Sequence, residues 1–190
     1  MSLKSLVDNS RTDKDTTHSY LDLYDKLLSK RKETAKNILE IGIYQGGSIK
    51  LWHDYFTNAT IYGLDIMSID HVWDEIKNNK RIILHTSTDA YDEEYFNFTL
   101  LQKSNLKFDF ILDDGPHTLE SMKTFIKLYS QLLTDDGILI IEDVQSIQWL
   151  HTLIDVTPDN LKQFIKMYDF RENKNRYDDI VFIIDKSLKK

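Results

Sequence analysis

Two apolar runs of the chain, 108–112 and 138–141, each end in acidic side chains. The polar residues that follow these runs are Asp113, Asp114, His117, Glu142 and Asp143. An apolar strand that stops at carboxylates is typical of an open α/β sheet, because such a sheet binds ligands beyond the carboxyl ends of its strands. Carboxylates this close together repel one another unless a cation or protons separate them. The pattern therefore predicts a site for a hard divalent metal with a base beside it.

Asp114, Glu142 and Asp143 offer oxygen donors, and the chain contains no cysteine. Such donors suit Mg²⁺, Mn²⁺ or Ca²⁺ better than a soft metal. His117 follows Asp114 by three residues, and a neutral imidazole can take a proton from a hydroxyl that the metal acidifies. Each piece has a plainer explanation as a turn, a solvated histidine or a helix cap. Their expected convergence at one edge of a sheet favours the functional interpretation.

A glycine-containing turn follows the first predicted strand. It reads Glu40-Ile-Gly42-Ile-Tyr44-Gln-Gly46-Gly47-Ser48. Glycine lets the backbone turn sharply and approach a ligand, and free amides at the start of the next helix can donate to that ligand. Asp65 ends the second strand, where a carboxylate can accept both ribose hydroxyls, and Asp89 follows the third. The turn predicts nucleoside binding, and a tight strand-to-helix turn without a ligand remains the alternative.

Composition limits the class of protein. The chain has 190 residues, a mass of 22.5 kDa and 41% hydrophobic residues, which suits one globular domain with a sizeable core. Its formal net charge of −7 disfavours nucleic acid and anionic membranes as partners. No apolar run approaches the ~20 residues of a membrane span, and cysteine is absent. We therefore expect a cytoplasmic protein without disulfides, and composition leaves a homo-oligomer open.

Strand-like apolar runs alternate with amphipathic stretches, which predicts a mostly parallel sheet covered by helices on both faces. The predicted strands are Asn37–Ile41, Thr60–Leu64, Arg81–His85, Phe108–Leu112, Ile138–Ile141, Leu161–Tyr168 and Asp179–Ile184. The predicted helices span 17–31, 48–56, 69–79, 92–100, 118–133 and 146–153. Of the seven strands, the last two read as an antiparallel hairpin that closes the sheet. This architecture differs from the six parallel strands of dinucleotide dehydrogenases.

A polar and aromatic cluster lies on or before the first predicted helix. Its members are Asp13, Lys14, His18, Tyr20 and Tyr24. The cluster could fold over a bound cofactor as a lid, or it could be a solvated helix face with aromatic packing underneath. The sequence leaves both interpretations open. We expect residues 1–35 to form a helical lid segment of the same domain as residues 36–190.

Several motifs together carry a resemblance to a known family. They are Thr12-Asp13-Lys14, His18-x-Tyr20, Leu39-Glu40-Ile41-Gly42, Gly46-Gly47-Ser48, Tyr62-Gly63-Leu64-Asp65, Asp113-Asp114-Gly115-x-His117 and Ile141-Glu142-Asp143. With these motifs the chain resembles class I S-adenosylmethionine-dependent methyltransferases over nearly its whole length. More narrowly, it is similar to the metal-dependent sugar O-methyltransferases of macrolide biosynthesis (the macrocin and mycinamicin group) and to cephalosporin hydroxylase-like proteins.

The resemblance implies the Rossmann-like fold of class I methyltransferases and a role for each matching residue. S-adenosylmethionine would be bound by Glu40, Gly42, Tyr44, Gly46, Gly47, Ser48, Asp65, Ser87, Asp89 and Asp113. Mg²⁺ would be held by Asp114, Glu142 and Asp143, and His117 would be the general base. Pro116 stands where the family usually has serine, which stiffens the loop that carries His117.

These features predict an S-adenosylmethionine- and Mg²⁺-dependent O-methyltransferase that acts on a hydroxylated small molecule such as a saccharide. A metal-independent methyltransferase with the same fold is the second hypothesis. A module that binds S-adenosylmethionine without catalysis is the third. An NAD-dependent redox enzyme is the weakest, because the glycine spacing lacks the Gly-x-Gly-x-x-Gly fingerprint.

Overall fold

The computed structural model describes residues 1–101 and 106–188. Among the described residues, seven strands form one sheet: β1 (Asn37–Ile41), β2 (Thr60–Leu64), β3 (Ile82–His85), β4 (Phe108–Asp113), β5 (Leu133–Ile141), β6 (Ile165–Asp169) and β7 (Ile180–Asp185). The helices are α1 (Leu3–Leu6), α2 (Leu21–Leu28), α3 (Gly47–Tyr55), α4 (Asp74–Lys77), α5 (Glu93–Tyr95), α6 (Leu119–Tyr129), α7 (Trp149–Val156), α8 (Asp159–Lys162) and α9 (Arg171–Lys174). None of these helices has the length and apolar character needed to span a membrane.

The strand order in the sheet is β3-β2-β1-β4-β5-β7-β6. Strands β1 to β5 pair in parallel, and β7 is antiparallel to both β5 and β6. The predicted Rossmann-like sheet with a closing antiparallel hairpin is therefore confirmed. Because β7 runs the opposite way, its amino end lies at the same edge as the carboxyl ends of the parallel strands.

Two hydrophobic clusters lie on opposite faces of the sheet, because successive strand residues point to opposite sides. Ile38 and Phe110 face a cluster that contains buried residues of the first three helices, Trp52 among them. Leu39 and Ile111 face the other cluster, which includes residues of α6 and α7. Strands buried on both faces explain why the sequence shows continuous apolar runs rather than alternation.

The predicted strand bounds are confirmed for β1 and β2 and need correction elsewhere. The strand expected over 161–168 is wrong at its start, since Asp159–Lys162 is helical and β6 begins at Ile165. The fifth strand begins at Leu133, five residues before its expected start, and its pairing register with β4 shifts between Phe108 and Phe110. An apolar run indicates burial, and it does not by itself distinguish a short helix from a strand.

Two predicted helices are shorter than expected. The first begins at Leu21 instead of residue 17, because His18 and Tyr20, in the expected first turn, instead contact Asp179 and Asp143. The helix expected over 69–79 is divided into a 3₁₀ turn at Ile69–His71 and α4. The extended backbone of Val72 and Trp73 separates these two pieces.

Candidate functional site

A cleft of about 950 Å³ opens at the carboxyl ends of the parallel strands. The predicted site residues that line it are Gly42, Tyr44, Asp65, Asp89, Asp114, His117 and Asp143. Residues 9–13 and Thr16 of the N-terminal segment form another part of its wall. The other predicted site residues are not part of the described lining: Glu40, Gly46, Gly47, Ser48, Ser87, Asp113 and Glu142. Half of the predicted residues thus share one surface, and the rest lie beneath or beside it.

Asp114, His117 and Asp143 form a compact group in the cleft. One donor atom from each lies within 4.8 Å of the donor atoms of the other two. His117 Nε2 is 3.8 Å from Asp114 Oδ1 and 3.7 Å from Asp143 Oδ2. Side-chain exposures of 28%, 24% and 13% for His117, Asp114 and Asp143 leave the group open to a ligand. Two carboxylates and an imidazole are a donor set that fits a divalent cation.

Glu142 is directed toward the N-terminal segment. Its Oε2 accepts a hydrogen bond from Lys14 Nζ at 2.5 Å, and its Oε1 accepts one from the hydroxyl of Tyr24. Lys14 Nζ also donates to Asp114 Oδ2 at 2.7 Å and lies 3.7 Å from Glu40 Oε1. The role of Glu142 as a metal ligand stays a prediction, because both of its oxygens already accept from this chain.

Lys14 is the main positive charge beneath the cleft, with 1% of its surface exposed. Burial lowers the pKa of Lys14, but the charges of Asp114, Glu142 and Glu40 outweigh that effect and raise it well above the usual range. Lys14 therefore stays protonated. Its charge partly compensates Glu40 within β1, Asp114 after β4 and Glu142 after β5.

Tyrosine hydroxyls hold the other acidic side chains in place. Tyr20 donates to Asp143, and Tyr91 donates to Asp113. Burial raises the pKa of both tyrosines, with a further increase from the carboxylate each one faces. The two hydroxyls therefore remain protonated donors and fix the orientation of the acids they contact.

Burial raises the pKa of several acidic side chains at the site. It raises the pKa of Asp113 to about 7, against the hydrogen bond from Tyr91. It raises the pKa of Glu40 to about 7 as well, where the charge of Lys14 opposes the shift. The pKa of Glu142 and that of Asp143 are raised for the same reason. Desolvation thus exceeds the compensation that nearby cations provide, and this edge of the sheet favours an added cation or protons.

His18 extends from the N-terminal segment to the amino end of β7. Its Nδ1 lies 2.5 Å from Asp179 Oδ1 and 3.3 Å from Asp143 Oδ1. Burial lowers the pKa of His18, but the carboxylate of Asp13, 3.6 Å from its Nε2, and the charge of Asp143 outweigh it and raise the pKa to about 9. Lys14 and His18 are buried, so the solvated-face interpretation of the N-terminal cluster is wrong for them.

Asp65 is held by the backbone of the loops around it. Its Oδ2 accepts from the amides of Ile43 and Tyr44, and its Oδ1 accepts from the amide of Met67, each at 2.8 Å. These bonds set the carboxylate at the wall of the cleft. A carboxylate has about four acceptor positions, so capacity for another donor remains.

The glycines of the turn allow close packing within the chain. Gly42 has φ +80°, and a Cβ there would lie 2.0 Å from the carbonyl oxygen of Asp114. A Cβ on Gly47 would lie 1.9 Å from the carbonyl oxygen of Arg11. Gly42 therefore brings the β1 and β4 loops together, and Gly47 lets the N-terminal segment cross the start of α3.

Non-glycine residues in the left-handed region concentrate at this edge of the sheet. Four of them are Tyr44, Ser87, His117 and Asp143, with φ between 47° and 54°. Such conformations cost of order 1–3 kcal/mol each and persist where surrounding contacts impose them. In the loop after β4 and the loop after β5, this backbone turns His117 and Asp143 toward each other.

Sequence reasoning missed the buried partners that organise the site. Tyr91 and Asp179 were not candidates, and Lys14 was one member of a cluster with two open interpretations. The partners of Lys14 lie 100 and 128 residues away along the chain, so no local spacing could reveal them. One local signal exists for Asp179, since the pair Asp178-Asp179 directly precedes the apolar run of β7.

Fold and site together define a Rossmann-like α/β protein with an acidic ligand cleft. A protein-family profile described as a methyltransferase domain matches residues 39–144, which is more than half of the chain. The chain belongs to this methyltransferase family. The matched span runs from β1 to the loop that carries Asp143.

Two curated relatives are similar over most of the chain. Mycinamicin VI 2''-O-methyltransferase of Micromonospora griseorubida is 28% identical over 139 residues, which cover 70% of this chain and 33% of the relative. Demethylmacrocin O-methyltransferase of Streptomyces fradiae is 29% identical over 139 residues, with 70% and 33% covered. The chain thus spans about a third of the length of these relatives.

Solved structures of the methyltransferase MycE of the mycinamycin biosynthetic pathway have the same fold. The complex of MycE with Mg and SAH matches with a TM-score of 0.73 and 24% identity, covering 97% of this chain and 54% of MycE. The complex that also contains mycinamycin VI matches with a TM-score of 0.74 and 22% identity. These matches include the N-terminal segment, since nearly all of the chain is covered.

Proposed function

We propose that this protein is an S-adenosylmethionine-dependent O-methyltransferase that uses a divalent cation, most simply Mg²⁺. The observation that carries the proposal is the convergence of Asp114, His117 and Asp143 in one cleft with Asp65 and Asp89. Membership of the methyltransferase family supports the donor. The related structures named above as complexes with Mg and SAH support the pairing of a metal with this donor.

The residues of this chain divide the chemistry between two halves of the cleft. S-adenosylmethionine would supply an electrophilic methyl group, and a divalent cation would lower the pKa of an acceptor hydroxyl. Asp65 would accept ribose hydroxyls, with Gly42 and Asp89 beside it. Asp114 and Asp143 would hold the cation, and His117 Nε2 would accept the hydroxyl proton. The N-terminal wall, residues 9–13, would exclude water from the reacting groups.

The acceptor we propose is a sugar or another polyhydroxylated small molecule. The curated relatives are named as methyltransferases of macrolide antibiotics and of tetracenomycin sugars. Part of the lining is polar, with Asp13, Glu120 and Thr124 available to hydrogen-bond hydroxyl groups. Vicinal hydroxyls would suit a cation held by two carboxylates, because hard divalent cations prefer oxygen ligands and take more of them than two carboxylates supply.

The test is formation of S-adenosylhomocysteine from S-adenosylmethionine with a panel of glycosides in Mg²⁺. EDTA should abolish turnover, and Mg²⁺ should restore it. His117→Ala should reduce kcat by roughly 10²–10⁴, the usual contribution of a general base. His151→Ala is the matched control, because His151 is exposed on α7.

A binding measurement separates the base from a metal ligand. If His117 is the base, His117→Ala should leave the Kd for Mg²⁺ nearly unchanged in calorimetry, whereas Asp143→Asn should weaken it. Full turnover by a variant with both Asp114→Asn and Asp143→Asn, in EDTA, would remove the cation from the proposal.

A metal-independent methyltransferase with the same fold is the second candidate, and one contact favours it. Lys14 already lies between Asp114 and Glu142, so part of their charge is compensated within the chain. In that case Mg²⁺ would show no heat of binding at millimolar concentration, while S-adenosylhomocysteine would still bind. Turnover in EDTA would then match turnover in Mg²⁺.

A further inference from the structure

A second group of metal-ligating side chains lies outside the proposed metal site, at the amino end of β7. Its members are His18, Asp178 and Asp179, which are 4%, 7% and 0% exposed. One donor atom from each lies within 4.8 Å of the donor atoms of the other two. We propose that these three residues form a second divalent-cation site, which clamps the N-terminal segment to the C-terminal hairpin.

The topology explains why such distant residues meet. Because β7 is antiparallel to β5, the residues before β7 lie beside the loop that follows β5. The amide of Val144 donates to the carbonyl of Ile180, and this hydrogen bond holds the loop after β5 beside the start of β7. His18 reaches the same place from the segment before α2.

Unused hydrogen-bonding capacity in the group indicates a missing partner. Asp179 Oδ2 and Asp178 Oδ1 are buried, and among the described residues neither has a hydrogen-bond partner. Asp179 is the stronger indication, since its side chain is fully buried. A buried carboxylate oxygen without a partner loses its hydrogen bonds to water and gains none in return, which destabilises the fold. A cation coordinated by His18 and the two carboxylates would satisfy both oxygens.

The local charges also favour a cation. Four acidic groups lie here: Asp143, Asp178 and Asp179, and Asp13, whose Oδ2 is 3.6 Å from His18 Nε2. Among the described residues their positive partners are His18, when protonated, and Arg176, whose Nη2 lies 2.9 Å from Asp178 Oδ2. Four potential negative charges thus face at most two positive ones. A divalent ion that replaced the proton of His18 would reduce the excess.

The donors suggest which ion would bind. One imidazole nitrogen and carboxylate oxygens, with no thiolate, suit Zn²⁺ or Mn²⁺. Asp143 lies between the two groups: its Oδ1 is 3.3 Å from His18 Nδ1, and its Oδ2 is 3.7 Å from His117 Nε2. The two sites would therefore be neighbours with separate donor sets.

Mn²⁺ is the probe for the test, because it binds both oxygen and nitrogen donors and can be counted by electron paramagnetic resonance. We expect the whole chain to bind two Mn²⁺ ions and the Asp178→Asn variant to bind one. Asp185→Asn is the matched control, since Asp185 is a buried carboxylate at the other end of β7. This control should still bind two ions.

Anomalous diffraction from wild-type crystals grown with Mn²⁺ gives a readout that needs no variant. A peak between His18, Asp178 and Asp179 supports the proposal. A peak confined to Asp114 and Asp143, or an Asp178→Asn variant with unchanged stoichiometry, overturns it. A peak at Asp114 and Asp143 reports on the proposed methyltransferase site, and a peak at His18, Asp178 and Asp179 reports on the second site, so the failure of one and the failure of the other are distinguishable.

Discussion

At the scale of single residues, Lys14 has the most consequential contacts. It contacts the carboxylates of Glu40 within β1, Asp114 after β4 and Glu142 after β5, while 1% of its own surface is exposed. The carboxylates would be left uncompensated without it. Buried charges of this kind specify one arrangement of the chain at the cost of making each partner indispensable.

Replacing Lys14 by methionine should therefore destabilise the fold strongly. Removing one partner of a buried ion pair typically costs about 3–5 kcal/mol, and urea denaturation measures the loss. Lys123→Met is the control, because Lys123 pairs at the surface with Glu120 and should contribute less than about 1 kcal/mol. A loss below about 1 kcal/mol for Lys14→Met would mean that protons already neutralise the three acids.

His18 should make stability depend on pH in metal-free protein. Its pKa is raised from 6.5 to about 9 on folding, so protonated His18 favours the folded state. This stabilisation is fully present below pH 6.5 and is lost as the pH rises through 9. At 1.36 kcal/mol per pKa unit, the loss is about 3 kcal/mol.

The measurement is thermal unfolding in EDTA between pH 6 and pH 10. Wild-type protein should lose more stability over this range than His18→Gln, and the difference isolates His18 from other titrating groups. His151→Gln, at an exposed position, should follow the wild type. Equal slopes for His18→Gln and wild type would contradict the assigned pairing with Asp13 and Asp143.

At the scale of elements, the segment before α2 forms a wall of the cleft and depends on one close crossing. Gly47 permits the backbone of Arg11 to pass over the start of α3, where a Cβ would lie 1.9 Å from the Arg11 carbonyl oxygen. The segment and the glycine-containing turn are thus fitted to each other, and a change in one should move the other.

Gly47→Ala should displace this segment. We expect a loss of about 1–3 kcal/mol in stability, as for other overpacked positions, and weaker binding of S-adenosylhomocysteine measured by calorimetry. Gly63→Ala is the control, because a Cβ there meets side-chain atoms at 3.0 Å or beyond, away from the segment. If Gly47→Ala binds S-adenosylhomocysteine as wild type does, the segment contributes nothing to the wall for this ligand.

Much of the sheet was predictable because its strands are buried on both faces. The bounds of β1 and β2 follow from apolar runs bordered by polar residues and glycine, which are local signals. The start of α2 was not predictable, since His18 and Tyr20 contact acids that lie 161 and 123 positions away along the chain. The local pattern of residue types carries no information about contacts between residues so far apart in the sequence.

The candidate site was predictable to a similar degree. The convergence of Asp114, His117 and Asp143 could be predicted because parallel strands bring their carboxyl ends to one edge, a rule that sequence alone can apply. Asp179 was not found, because its position depends on β7 being inserted next to β5. The sequence predicts the C-terminal hairpin, but it does not show which of the two hairpin strands pairs with the parallel part of the sheet.

At the scale of the whole molecule, ligand binding should appear as global stabilisation. A ligand that binds the folded state alone adds about 2.7 kcal/mol at 100 times its Kd. S-adenosylhomocysteine should raise Tm in a thermal-shift titration, and NADH should not. An increase in Tm with NADH and none with S-adenosylhomocysteine would contradict the proposed methyl donor and support the NAD-dependent hypothesis instead.

The placement of β7 between β5 and β6 bears on the order in which the chain folds. During synthesis β6 emerges from the ribosome before the strand it pairs with, so it must wait as an unpaired edge until residues 180–185 arrive. Pairing of distant segments is slow, and unpaired edges promote misassembly. Because Asp178 and Asp179 directly precede β7, the second cation site that we propose would form only after the five parallel strands have been synthesised.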